Sequence, residues 1–388
     1  MHGPSSEENH RSILVILPTW VGDCVMATPT LRVIRNRFSE ARITFLIESN
    51  VRDLVRGGDW LDECLEWPDS AKRKPWNKEY RRLVHELRDR ALDLAVILPN
   101  SFRAALIARL SGARRRIGYD RDGRGWLLTD RVPVRNRRTE NLQPPMEASF
   151  EESNWRMDRI PDRSGGRYRP VPLVEYYADL VEVLGCARPG HEFELFTTAE
   201  EDDRIERRLS SLGFTGGRPL VVLSPGAKYG AAKCWPVEKF AAAADCLVES
   251  DDAAVLITCG PGEEPIAREI GGLMRKPHHV LDDPRLTLGE LKSLIRRCDL
   301  LLCNDAGPRH FAKAFNVSVV TVFGPTHPAW TATKYPLERI LRIDVDCGPC
   351  QQRICPLGHL KCMNELSVES VAAACRELLQ QRLAMTAR

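Results

Sequence analysis

Residues 13 to 29 read ILVILPTWVGDCVMATP. Ile13 to Leu17 form an apolar run rich in β-branched side chains, the pattern of a strand buried on both faces of a parallel sheet. Pro18 and Gly22 then break the run into a loop that feeds a helix. A dinucleotide-binding chain places Gly-x-Gly-x-x-Gly at this point, and here there is one glycine and one carboxylate, Asp23. A nicotinamide dehydrogenase is therefore a poor reading, and the acid at the end of the first strand needs another purpose.

The same pattern recurs along the chain. Apolar runs at 43–47, 93–98 and 115–119 alternate with segments of helical period, such as 76–91, where Trp76, Tyr80, Leu83, Val84, Leu87 and Ala91 share a face. Residues 135 to 172 are charged and rich in Pro and Gly, and read as a long mobile loop. After a helix at about 174–185, strands are expected at 220–224, 253–259, 299–303 and 318–323, each followed by a helix, with a last amphipathic helix at about 367–383. The expected class is α/β, with two doubly wound domains facing across a cleft: 12–185, then 186–365, with 366–388 as a closing helix.

The chain has 388 residues, enough for two cores. No apolar run approaches the length of a membrane span, and the run that ends at Pro18 is short for a signal peptide, so a cytoplasmic protein is expected. Nine of the 13 cysteines lie singly in apolar segments and read as reduced core residues. The other four, Cys347, Cys350, Cys355 and Cys362, cluster around His359. Their side chains are zinc-ligand types but their spacing matches no common finger, so reduced thiols in a folded loop are the favoured reading and a structural zinc the alternative.

Ligands of open α/β sheets bind beyond the carboxyl ends of the strands. Three loops of the second half sit there. SPGAKYGAAKCWP (224–236) offers Ser224, Gly226 and, before a helix opened by Pro236, Lys233, whose charge can combine with the N–H groups of that helix start to hold an anion. CGPGEEP (259–265) brings Gly260 together with Glu263 and Glu264, which either cap a helix or accept hydrogen bonds from a ribose or base. CNDAGPRHFAKAF (303–315) carries Asp305, Ala306, Gly307 and His310 at one strand-to-helix junction, a diphosphate-binding pattern.

Together, PTWVGDCVMATP, SPGAKYGAAKCWP, NDAGPRHFAKAF and VVTVFGPTHP resemble the ADP-heptose:lipopolysaccharide heptosyltransferases, closest to the heptosyltransferase II group, over roughly residues 12 to 380. The resemblance implies the GT-B fold and inverting, metal-independent transfer of heptose from ADP-heptose. It makes Asp23 the catalytic base, Lys233 the holder of the donor phosphates, Asp305, Gly307 and His310 the diphosphate run, and Glu263 or Glu264 the nucleoside-binding acid. Ala306 and Arg309 depart from the family's usual residues. The Asp-x-Asp pairs Asp120/Asp122 and Asp344/Asp346 are in poor contexts for a catalytic metal, and no cofactor is expected.

Residues 71 to 138 hold 19 Lys or Arg against 7 Asp or Glu, whereas the whole chain is only +3. Such a patch suits a polyanion: Kdo-bearing lipid A, nucleic acid or an anionic membrane surface. A solvated helix face accounts for about half of it. The remainder, Arg103, Arg114, Arg115, Arg116, Arg121 and Arg124, lie nearer loops and are the candidate acceptor contacts. Given the resemblance, the expected partners are a nucleotide sugar and a lipid A-type glycolipid, with peripheral contact at the inner membrane surface, no nucleic acid, and a monomeric enzyme. The rivals are a GT-B transferase or epimerase using a UDP-sugar, an inactive carbohydrate-binding relative, and a nucleic-acid or zinc-organised interaction protein.

Overall fold

The computed structural model describes residues 10–69, 77–134, 170–214 and 216–386. These fall into two units, one built from the residues up to 134 together with Val171–His191, the other running from Glu192. The segment expected to be a mobile loop lies, but for its last residues, outside the described residues.

In the first unit the strands are β1 (Ser12–Ile16), β2 (Arg42–Ile47), β3 (Glu63–Glu66), β4 (Leu94–Ile97), β5 (Arg115–Asp120) and β6 (Asp130–Pro133), all parallel, in the order β3-β2-β1-β4-β5-β6. The helices are α1 (Val21–Met26), α2 (Thr28–Arg37), α3 (Arg52–Val55), α4 (Lys78–Arg88), α5 (Phe102–Leu110) and α6 (Leu173–Glu182). β1 is central because Ile13, Leu14, Val15 and Ile16 are wholly buried, with β2 and β4 bonded on either side. Leu14 and Ile16 pack in a core with Leu83 and Leu87 of α4 and Ala104 and Ile107 of α5. The helix at 76–91 is expected from its apolar period and begins at Lys78, because the Asn77 side chain accepts the Tyr80 N–H and caps it.

The unit ends later than residue 185. Arg188 pairs with Asp179 (3.2 Å) and Glu182 (2.8 Å) of α6, and His191 bonds Glu175 at 2.5 Å. The His191 hydrogen bond, helped by Arg188 and opposed by burial, holds the Glu175 carboxyl at about 2.

The second unit repeats the plan. Its strands β7 (Leu220–Ser224), β8 (Ala254–Thr258), β9 (His278–Leu281), β10 (Leu300–Asn304), β11 (Ser318–Val322) and β12 (Glu338–Leu341) form a parallel sheet in the order β12-β11-β10-β7-β8-β9. Around it stand α7 (Ala199–Ser211), α8 (Val237–Asp251), α9 (Glu264–Leu273), α10 (Leu288–Arg297), α11 (Gly307–Ala314), α12 (Lys361–Asn364) and α13 (Val368–Thr386). The closing helix is no appendage. Val371, Cys375, Leu378 and Leu379 of α13 are fully buried in one core with Val221, Leu300 and Leu302. Among the described residues no helix is long and apolar enough to cross a membrane.

Both sheets have the doubly wound order in which the connection reverses beside the first strand, between β1 and β4 and between β7 and β10. The crevice at such a reversal is where open α/β sheets hold ligands. Leu302 of β10 is fully buried at the second reversal, opposite Leu223. Leu302→Ala should therefore lower unfolding free energy in urea by about 2–5 kcal/mol; a loss below about 1 kcal/mol would show that β10 is not a core strand.

Candidate functional site

Asp305 is the first residue after β10, and three side chains converge on it. Lys233 donates to its carbonyl oxygen (3.1 Å) and to Oδ2 (2.5 Å), Thr326 donates to the same oxygen (2.7 Å), and Arg309 reaches Oδ1 at 3.4 Å. Burial alone would raise the Asp305 carboxyl, but the charges of Lys233 and Arg309 outweigh it and hold it at about 2. Lys233 ends the turn after β7, so this pair ties the two strands that flank the reversal. Asn304 makes a second tie: Oδ1 accepts the Trp235 N–H (3.1 Å) and Nδ2 donates to the Pro225 carbonyl (2.5 Å).

The network continues inward. Arg309 donates to Glu338 of β12 (2.5 and 3.1 Å), and Lys313 donates to the same carboxylate (2.7 Å). Burial pushes Glu338 up, but the Arg309 and Lys313 charges hold it well below the usual carboxylate range. Burial, reinforced by Arg309, lowers Lys313 to about 8, which leaves it charged at neutral pH. Within the network three cations, Lys233, Arg309 and Lys313, face two carboxylates, Asp305 and Glu338. The balance is positive and lies beside the start of α11.

That helix start is itself open to an anion. Ala306 occupies the N-cap without a side-chain cap, and Gly307 and Pro308 begin the helix, so no side chain caps its first turn. His310 lies one turn in. It is only 2% exposed, edge-on to Phe193 with ring centroids 5.8 Å apart. Burial, then the charges of Arg309 and Lys313, lower its pKa well below the usual value and keep it neutral; Nδ1 has no partner among the described residues.

The two acids after β8 separate. Glu264 pairs with Arg285 at 3.2 Å. Glu263 holds the N-cap position of α9 but caps nothing with its side chain; instead Oε2 accepts the Gly260 N–H at 2.8 Å. It lies against Gly226, where a Cβ would collide with the carboxylate, and close to Gly260, where a Cβ would be 2.8 Å away. Burial raises the Glu263 carboxyl. Ser224 ends β7, is buried and lies beside this loop. Residues that follow β7, β8, β10 and β11, four neighbouring strands, are thus gathered at one edge.

Two geometric expectations are corrected. The Lys233 ammonium, expected to act with the start of the helix that follows it, is engaged by Asp305, a buried counter-charge at the opposite strand end. Half of the six arginines expected nearer loops lie in regular elements: Arg115 and Arg116 in β5, and Arg103 in the first turn of α5. Arg124 is fully buried, donating to the carbonyls of Tyr119 (3.0 Å) and Pro99 (2.5 Å), and Arg116 donates to those of Ala113 (2.6 Å) and Leu127 (2.8 Å). Neither guanidinium is available to an outside polyanion, because the backbone oxygens already hold it. Arg115 pairs with Asp130 (2.8 Å), Arg121 with Asp122 (3.0 Å) and Arg103 with buried Glu48, while Arg114 is largely exposed, 3.6 Å from Asp93.

Asp23 sits in α1 of the first unit, half-buried, just after β1. Cys347, Cys350, Cys355, Cys362 and His359 line one small cavity in the second unit, with Cys347 Sγ 4.0 Å from His359 Nε2. Among the described residues no group of three or more His, Cys, Asp or Glu side chains is arranged to hold a metal ion. Sequence reasoning passed over Thr326 and Glu338, and saw Arg309 only as a departure. The segment VFGPTHP, which resembles the family's, carries the signal for Thr326; nothing local marks Glu338.

Two Rossmann-like units, one carrying an acid after its first strand and the other a cationic crevice after its own, are the architecture of GT-B enzymes. The chain belongs to glycosyltransferase family 9 (heptosyltransferase), which it matches over residues 80–151 and 172–361. It is 25% identical to lipopolysaccharide heptosyltransferase 2 of Escherichia coli K12, covering 95% of this chain and 99% of that one. It is 25% identical to lipooligosaccharide heptosyltransferase 2 of Campylobacter jejuni, covering 95% and 98%. The solved structure of E. coli ADP-heptose LPS heptosyltransferase II superposes with a TM-score of 0.71 at 23% identity, over 95% of this chain and 99% of that one.

The Asp305 carboxylate stabilises the fold fully above the unfolded pKa of about 4 and loses that contribution as pH falls toward 2. Asp305→Asn should therefore be most destabilising at pH 7, and its deficit in urea unfolding should shrink by about 1 kcal/mol at pH 3. A deficit independent of pH would show that Asp305 is not held as a low-pKa carboxylate.

Proposed function

We propose that this enzyme moves a heptose from ADP-heptose to the inner core (Kdo/heptose-lipid A) of lipopolysaccharide, with inversion at the anomeric carbon and no catalytic metal. The observation that carries the reading is the net-positive Lys233–Asp305–Arg309 network beside the uncapped start of α11. A departing nucleoside diphosphate gains negative charge as the glycosidic bond breaks. Fixed donors placed where that charge grows lower the barrier, and one such donor is worth roughly 3 kcal/mol. In this reading Lys233 and the first-turn N–H groups at Gly307 hold the diphosphate. Neutral His310 offers it a hydrogen bond without competing for a proton, Ser224 and Ala306 line the same crevice, and Gly226 and Gly260 let the nucleoside approach Glu263.

The acceptor hydroxyl is a weak nucleophile until its proton is removed. Asp23 is the general base that removes it as the hydroxyl attacks the anomeric carbon, and the sugar–phosphate bond breaks on the opposite face. Of the candidate acceptor arginines, Arg103, Arg114, Arg115 and Arg121 keep contact with solvent and suit an acidic glycolipid. Such an acceptor suits an enzyme that works in the cytoplasm at the inner membrane surface, and we read it as a monomer.

The test is release of ADP from ADP-heptose in the presence of a Kdo-lipid A or monoheptosyl acceptor. Asp23→Asn should cut turnover by about 10²–10⁴-fold while donor affinity changes only a few fold. Lys233→Ala should weaken donor binding and slow transfer by about a hundredfold. Near-normal turnover by Asp23→Asn, or a wild-type preference for UDP-sugars, would sink the assignment.

A further inference from the structure

Three aromatic side chains are exposed among the described residues, and all three lie at one edge of one sheet. Trp20 (41% exposed) follows β1, Phe102 (45%) follows β4, and Trp126 (64%) follows β5. These strands are neighbours in the order β1-β4-β5, so their carboxyl ends stand side by side. Large aromatics left in water are costly unless something covers them, and a cluster marks a binding surface more often than scattered single residues do.

The cluster is built, not floppy. Phe102 and Trp126 are in contact, with ring centroids 6.2 Å apart and planes inclined by 54°. Buried Arg124 clamps both of their loops: it donates to the Pro99 and Ser101 carbonyls ahead of Phe102 and to the Tyr119 carbonyl ahead of Trp126. The guanidinium expected to meet the acceptor thus acts from inside, fixing the backbone that presents two rings. A surface held in its binding conformation loses little freedom when a ligand arrives.

The surroundings define the ligand. Aromatic faces carry negative quadrupole density and attract the weakly positive C–H faces of a sugar ring. Arg103 adjoins Phe102 and Arg121 lies in the Trp126 loop; both side chains are partly exposed, which favours an acidic saccharide over a bare hydrocarbon. Asp23 stands on the same strand-end edge, three residues after Trp20.

We infer that Phe102 and Trp126, with Trp20 next to the proposed base, form a platform on which a sugar ring of the acidic acceptor saccharide stacks. This rests on the reading of the first unit as the acceptor side. The test compares wild type, Phe102→Ala/Trp126→Ala and Trp126→Phe, using the acylated acceptor and its acyl-free oligosaccharide. The double variant should raise KM at least tenfold for both acceptors, leave the donor KM within twofold, and fold as wild type by circular dichroism; Trp126→Phe should stay within about threefold. Saturation-transfer NMR with the acyl-free oligosaccharide gives a readout that needs no turnover: sugar C–H signals should appear with wild type and vanish with the double variant. Should wild type fail to transfer heptose yet bind the saccharide through these rings, the platform stands and the proposed function falls. An unchanged acceptor KM, a defect confined to the acylated acceptor, or no saccharide signal with wild type would overturn the platform.

Discussion

Lys233 and Asp305 form a buried ion pair across the reversal between β7 and β10, and the crevice proposed for the donor depends on it. The ammonium bonds both the side chain and the main-chain carbonyl of Asp305, so it sets the backbone just before α11 as well as the charge there. Removing Asp305 would leave the Lys233 ammonium buried without its counter-charge, at a cost of roughly 3–5 kcal/mol, whereas removing Lys233 would leave Asp305 with only Arg309 at 3.4 Å and the Thr326 hydroxyl. The site therefore cannot be loosened piece by piece.

Buried ion pairs are weak devices for stability, because desolvation cancels much of their attraction. Their concentration here makes better sense as positioning. Glu338 on β12 bonds Arg309 and Lys313, which lie one turn apart on α11, and Arg309 passes the constraint to Asp305. An edge strand thereby fixes the helix whose open start faces the crevice. The one positive charge left over within the network is the sort of imbalance that an anionic ligand would neutralise.

Much of this was legible in the sequence, and what was missed has a common cause. The central strands β1, β2, β4, β7, β8, β10 and β11 are apolar runs because both their faces are covered. β3, β6, β9 and β12 are the four sheet edges; they are short and carry Glu63, Asp130, His278 and Glu338, residues that suit an edge but hide a strand from an apolar-run reading. α7 was passed over for a similar reason, since only Glu201 and Ile205 of its charged sequence are buried. The loop residues Lys233, Asp305 and Glu263 could be picked out by their place after strands, but their partners could not. Whether an arginine such as Arg124 faces water or three carbonyl oxygens depends on folding that brings residues 99, 101 and 119 together, which no local pattern encodes.

Hydrogen exchange with and without ADP is the most direct test that the charged crevice of the second unit is the nucleotide site. Added protection is expected at 225–234, 259–263 and 305–310, and none at 18–24 after β1. Protection centred on the first unit, or none at the Lys233 and Asp305 loops at saturating ADP, would contradict that assignment.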